Sequence, residues 1–226
     1  MTDFIEFPKM ARLNRMCVIT EKIDGTNAQI LIEDVPAIDH PGLLPGDSFV
    51  PNNGTWFRIR AGSRSRWIHP GDDNYGFARW VASNAQELAK LGPGRHFGEW
   101  WGSGCQRGYN LPKGEKRFSL FNTLRWCAHD ATPVAIPTNN PIEEVKMQTP
   151  VPACCHVVPE MVRSVGPFRS ELVDSALYVL RQQGSLASPG FMKPEGIVLF
   201  HVAANMAFKV TLEKDDVPKS HQQKVR

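Results

Sequence analysis

Apolar and polar positions alternate modestly from 17 to 21, a turn follows at Asp24-Gly25, and residues 28–32 read AQILI, which predicts a strand, a turn and a second strand. Residues 56–61, WFRIRA, set large apolar side chains against arginines with period two, as a half-exposed strand does. The period then lengthens. Phe77, Trp80, Val81, Ala85, Leu88 and Leu91 fall near helical spacing, predicting one helix over 75–91 with Gly92-Pro93 as its stop. Residues 95–101 and 116–124 predict two more strands around a glycine-rich connection, GSGCQRGYNLPKGE. The proline-rich stretch 131–152 predicts a surface excursion. A helix fits 170–183, closed by Gly184, and 196–202 and 206–212 form a hairpin around Ala203-Ala204-Asn205. Residues 215–226 are polar and are expected to be a mobile tail.

Composition narrows the class. The chain has 226 residues, 42% hydrophobic and 22% charged, enough for one folded domain with its own core, and wholesale disorder is excluded. Its 18 glycines and 18 prolines exceed what a helix bundle tolerates, so a sheet-rich fold is expected. A net charge of +3 does not require a nucleic-acid partner and permits one where the basic residues cluster. No apolar run reaches the roughly 18 residues of a bilayer span, and the opening MTDFIEFPKM carries acids where a signal peptide needs a basic flank. A cytoplasmic chain without a membrane partner is expected. The five cysteines lack CxxC spacing and read as reduced thiols. Cys154-Cys155-His156 is a poor metal set, because adjacent cysteines rarely turn both sulfurs to one ion.

Candidate chemistry begins at Glu21-Lys22-Ile23-Asp24-Gly25-Thr26-Asn27. A lysine where a strand runs into a tight turn is held on rigid backbone and still faces a ligand, although on its own it also reads as a surface lysine before a common turn. Three further strings change that balance: His96-Phe97-Gly98-Glu99-Trp100-Trp101-Gly102, Pro194-Glu195-Gly196-Ile197-Val198 and Met206-Ala207-Phe208-Lys209-Val210. In this order and at these separations, the four strings resemble the covalent nucleotidyltransferases, which comprise nucleic-acid ligases and messenger-RNA capping enzymes with the first motif KxDG. The EKIDGTN, GEWWG and GCQRGYN wording resembles most the ATP-dependent RNA ligases of the type 2, phage-like branch, over residues 18–214.

The resemblance implies an α+β nucleotidyltransferase domain, ATP-grasp-like, with antiparallel sheets and flanking helices; because only twelve residues follow Lys214, a single domain over 1–226 with no separate carboxy-terminal domain is expected. It implies that Lys22 becomes adenylated, that Glu21 helps to recognise adenine, and that Ile23, Asp24 and Asn27 line the nucleotide. Arg64 would contact the nucleotide and the strand end, Glu99 the ribose, and Lys209 the α-phosphate. Glu195, with Glu99, would hold Mg2+ (or Mn2+). Phe121 would stack on the purine, with Phe118 as the alternate. Two positions depart from the pattern: Asn122 stands where the family has Asp, and Thr211 stands where the family writes the second lysine of Lys-x-Lys.

The chemistry suits these residue types. An ordinary lysine is the free amine about once in a thousand at neutral pH, a cost of roughly 4 to 5 kcal/mol. A nearby cation lowers that cost and also stabilises charge on the phosphoryl group. The implied cycle adenylates Lys22 from ATP, transfers AMP to a 5′-phosphate and joins that end to a 3′-hydroxyl. RNA with such ends is the implied partner of a monomeric protein, contacted through Arg64, Arg66, Arg107 and Lys113. Alternative readings are a minimal DNA ligase, a capping-type guanylyltransferase and a non-catalytic nucleic-acid-binding relative. No GxxxxGK[ST] run is present, which removes a P-loop ATPase.

Overall fold

The computed structural model describes residues 4–36, 46–136, 146–166 and 168–213. Lys214, the polar tail and the middle of the 131–152 excursion lie outside the described residues. In chain order come β1 (Cys17–Lys22), β2 (Thr26–Pro36), β3 (Ser48–Asn52), β4 (Thr55–Ser63), β5 (Trp67–Ile68), α1 (Phe77–Ser83), α2 (Ala85–Leu88), β6 (Gly94–Gly102) and β7 (Lys116–Leu120). Five short strands follow, β8 (Trp126–Cys127), β9 (Ala135–Ile136), β10 (Lys146–Met147), β11 (Thr149–Pro150) and β12 (His156–Val157). The last elements are β13 (Glu160–Ser164), α3 (Glu171–Gln183), β14 (Gly196–His201) and β15 (Met206–Thr211).

The fold is mixed α/β, mostly sheet with few helices. A seven-stranded sheet sets β12, β7, β6, β2, β4 and β3 side by side, with β5 paired to β4, and a four-stranded sheet runs β13-β1-β14-β15. The smaller sheet is antiparallel throughout, and the larger one is antiparallel except for the β12–β7 contact. β9 with β10 and β8 with β11 form two small ribbons.

Period-two alternation fixes which face of each sheet is dry. In the larger sheet Ile30, Ile32, Ile59, Trp100, Phe118 and Leu120 pack beneath Phe77 and Val81 of α1 and Leu88 of α2. In the smaller sheet Cys17, Ile19, Ile197 and Leu199 pack under Ala176, Leu177 and Leu180 of α3. A third cluster of Ile23, Trp101, Tyr109, Val158 and Phe191 joins the sheets where β1 runs into β2. Gly25 belongs to that junction, since a Cβ there would lie 2.4 Å from the Trp100 carbonyl oxygen.

Several elements differ from the sequence pattern. The single helix over 75–91 is broken: Tyr75 and Gly76 take positive φ, α1 starts at Phe77, and Asn84 leaves helical geometry before α2. Asp73 caps the true start by accepting from the amides of Asn74, Ala78 and Arg79. The Asn84 side chain donates to the Trp80 carbonyl, the local competition that interrupts helices. The strand over 116–124 stops at Leu120, because Thr123, Arg125 and Trp126 bond back into turns. β3 and β13 were not foreseen. No described helix is long and apolar enough to cross a membrane.

Candidate functional site

Lys22 is the last residue of β1, and its Nζ lies 2.6 Å from Glu195 Oε2. The lysine side chain keeps 22% of its surface exposed and the glutamate 3%. The pair therefore sits at a mouth, with its carboxylate inside. Register explains the meeting: Lys22 pairs with Gly196, so Glu195 immediately precedes the residue opposite the lysine. Gly196 pairs onward with Thr211, which places Lys22, Gly196 and Thr211 in one row across three strands. A side chain at 196 would drive a Cβ to 2.2 Å from the Val210 carbonyl oxygen, and φ there is 154°. Glycine thus leaves a gap between the side chains of Lys22 and Thr211. Thr20, Val198 and Lys209 form the next row on the same face, so exposed Lys209 shares the face of Lys22, two strands across and one row along, roughly 12 Å away.

The larger sheet supplies a second set of polar groups. Glu99 on β6 is opposite Asn27 on β2; its Oε1 accepts from the Gly25 amide at 3.0 Å and its Oε2 from the Asn27 side-chain amide at 2.9 Å. Asn27 in turn accepts from Arg64 Nε at 2.7 Å. A relay therefore runs from the exposed Arg64 guanidinium through Asn27 to a buried carboxylate. Burial pushes the Glu99 carboxyl up to about 7, opposed by the Lys22 ammonium and by the two donated hydrogen bonds, and Glu195 adds to the rise.

Other candidates differ in burial and in what they contact. Glu21 precedes Lys22 in a strand and so points to the opposite face; its Oε2 accepts from the amides of Leu186 and Ala187, and it is buried. Burial raises the Glu21 carboxyl, and the Ser185 hydroxyl and these amides counter it. The Glu21 side chain is thus committed to a protein loop and turned away from the Lys22 mouth. Ile23 is 3% exposed inside the third apolar cluster, which leaves only its backbone to face a ligand. Phe118 is fully buried among Phe77, Trp80 and Trp100, whereas Phe121 is 41% exposed. Of the two, only Phe121 presents a ring to solvent.

The basic candidates divide. Arg66 is held by both oxygens of Asp72, and Lys113 is exposed on the connection between β6 and β7. Arg107 is tied to Asp24 Oδ2 at 3.0 Å and to the Lys193 carbonyl at 2.8 Å. Sequence reasoning missed Tyr109, whose buried hydroxyl accepts from the Asp24 amide at 2.8 Å; its only signal was an aromatic within a glycine-rich loop. Among the described residues no group of three or more His, Cys, Asp or Glu side chains gathers as a metal site. Cys154 and Cys155 lie with sulfurs 3.9 Å apart and remain free thiols.

A family model described as RNA ligase matches residues 15–211. No curated protein was found to match the chain. Among solved structures the chain is similar to a variant of Naegleria gruberi RNA ligase with ATP and Mn, at 14% identity over 87% of this chain and 50% of that one, with a TM-score of 0.47. It is similar also to a variant with AMP and Mn, at 14% identity, 88% and 50% coverage and a TM-score of 0.46. The same ligase with PPi gives 14% identity, 93% and 57% coverage and a TM-score of 0.48. The chain spans about half the length of the first two of these structures. The family model begins just ahead of β1 and ends on the last residue of β15, so it takes in both sheets and the Lys22–Glu195 pair, and on that match the chain belongs to the RNA ligase family.

Proposed function

We propose that this chain is the nucleotidyltransferase core of an ATP-dependent RNA ligase and that Lys22 carries AMP as a covalent lysyl-adenylate. The observation that carries the reading is the 2.6 Å approach of Lys22 Nζ to Glu195 at the open end of β1, with Glu99 held beside it by Gly25 and Asn27. An ammonium has no lone pair, so it must lose a proton and part from Glu195 before it attacks. Attack on the α-phosphorus of ATP forms a phosphorus–nitrogen bond and expels pyrophosphate in line. Lys209, on the same sheet face, is the cation placed to meet the phosphate charge, and Arg64 holds the nucleotide from the other sheet. The exposed ring of Phe121 stacks on the base.

The donor set fits a hydrated Mg2+ (or Mn2+) that arrives with the triphosphate, because hard cations of this kind keep several waters and need few protein oxygens. Glu195 would hold that ion, which when bound neutralises phosphate charge as a Lewis acid. Glu99, with both oxygens already accepting hydrogen bonds, contributes at longer range. The lysyl-adenylate then passes AMP to the 5′-phosphate of an RNA end, freeing the lysine, and a 3′-hydroxyl attacks that activated phosphate and releases AMP. Incubation with α-labelled ATP and magnesium gives a labelled protein that survives denaturation, and Lys22→Ala abolishes the label. A parallel lane with labelled GTP separates the capping-type alternative, and a wild-type chain that takes up neither label ends the proposal.

A further inference from the structure

Outside the sheet ladder, the two segments that flank the Lys22–Glu195 pair have little regular structure of their own. After Lys22 the chain leaves β1, and the approach to Glu195 through residues 192–195 is irregular, with a proline that has no amide to donate. Arg107 reaches across both. Its Nε donates to Asp24 Oδ2 at 3.0 Å, and its Nη1 donates to the carbonyls of Lys193 and Pro194 at 2.8 and 3.4 Å. One planar group thus ties the turn after the lysine to the backbone just before the glutamate.

The loop that presents this arginine is built for the purpose. Gln106, Tyr109 and Asn110 take φ of 48°, 52° and 55°, left-handed backbone that non-glycine residues adopt only when their surroundings hold them there. Tyr109 is held by its ring contacts with Trp101 and Phe191, by the Asp24 amide on its hydroxyl and by the Ser188 hydroxyl on its carbonyl. The loop therefore touches the β1–β2 turn and the 184–195 segment twice each, through Arg107 and through Tyr109.

We propose that Arg107 is a positioning residue for the adenylation step, a clamp that fixes the Asp24 turn against the Glu195 approach and so aims the Lys22 amine. The proposal rests on the lysyl-adenylate reading and departs from the nucleic-acid contact that the sequence resemblance implied for this arginine. A guanidinium suits the task because its fork reaches a carboxylate and a carbonyl together, which a single ammonium nitrogen does poorly. A misaimed amine lowers the rate of attack and leaves ATP binding largely intact.

The test compares the full-length wild type with Arg107→Ala and Arg107→Lys in three measurements. Single-turnover labelling with ATP at saturation slows by at least about tenfold in both variants, while half-saturating ATP moves by less than about threefold. Sealing of RNA already carrying AMP at its 5′ end, where Lys22 makes no bond, changes by less than about threefold. Amide hydrogen exchange quickens together in residues 22–25 and 193–196 and nowhere else. Unchanged labelling with weakened sealing makes Arg107 a phosphate contact and overturns the clamp. Loss of both activities with faster exchange throughout makes it a folding residue and overturns it as well. A wild type that takes no label removes the ligase reading instead, and the exchange measurement still decides the clamp: both segments loosening upholds it, neither loosening refutes it.

Discussion

Glu99 shows how one side chain joins stability to pH. Its carboxyl titrates at about 7 in the folded protein against an ordinary 4.5, with burial as the main cause. Between those values the native state holds more protons than the unfolded chain, so stability falls as pH rises through that window and levels off above it. The two values bound the effect at about 3 kcal/mol. Glu99→Gln removes the titration, and it also turns an NH2 group toward the Asn27 amide, so its baseline stability drops. Urea unfolding at pH 5 and pH 8 is expected to show the wild type losing about 1 to 3 kcal/mol more than the variant across that interval; an equal pH response in the two proteins counts against the assignment. Alternation along β1 makes the opposed directions of Glu21 and Lys22 readable from their adjacency alone. The commitment of Glu21 to Leu186 and Ala187 was not readable, because its partners lie 165 and 166 residues away. The ties of Arg107, a residue named only as a nucleic-acid contact, were hidden for the same reason, with Asp24 at 83 residues and Lys193 at 86.

At the level of elements, the strands that build the mouth were legible, because β1, β2, β6, β14 and β15 each set apolar residues beside a glycine or asparagine turn. β3 and β13 were not. The first carries Pro51 on a sheet edge, where a ladder amide is dispensable, and the second is EMVRS, five residues with little contrast between faces. The α1–α2 break turns on an Asn84 side-chain bond that leaves no mark in the hydrophobic period. Register adds a prediction of its own. Thr211 lies in the row of Lys22 with a glycine between them, so Thr211→Lys places a second cation over the gap, where it meets phosphate charge and disfavours the Lys22 ammonium. At an effective dielectric of about 20, such a charge roughly 10 Å away is worth about 2 kcal/mol, enough for about tenfold faster label uptake at limiting ATP. Rates measured on Thr211→Lys at or below wild type exclude a phosphate role for that position.

Across the whole molecule, several basic side chains among the described residues already have a charge partner: Arg58, Arg60, Arg66 and Arg117 each pair with a carboxylate. Binding of an RNA strand through the remaining ones is therefore expected to be modest and sensitive to salt. With roughly three phosphates engaged, affinity for single-stranded RNA falls about twentyfold between roughly 50 and 200 mM salt. Label uptake from ATP, whose partners are partly enclosed, changes far less over the same range, and filter binding alongside labelling tests the contrast. β1 is made before both of its partners, β13 and β14, and the glutamate that meets Lys22 comes 173 residues after the lysine. On the ribosome, at roughly 5–20 residues per second, the amine waits many seconds without its carboxylate. A nascent chain thus holds the Lys22–Glu195 pair only after β14 emerges, and a chain that stops short of β14 leaves one edge of β1 unpaired, an exposed strand edge that invites pairing with other chains.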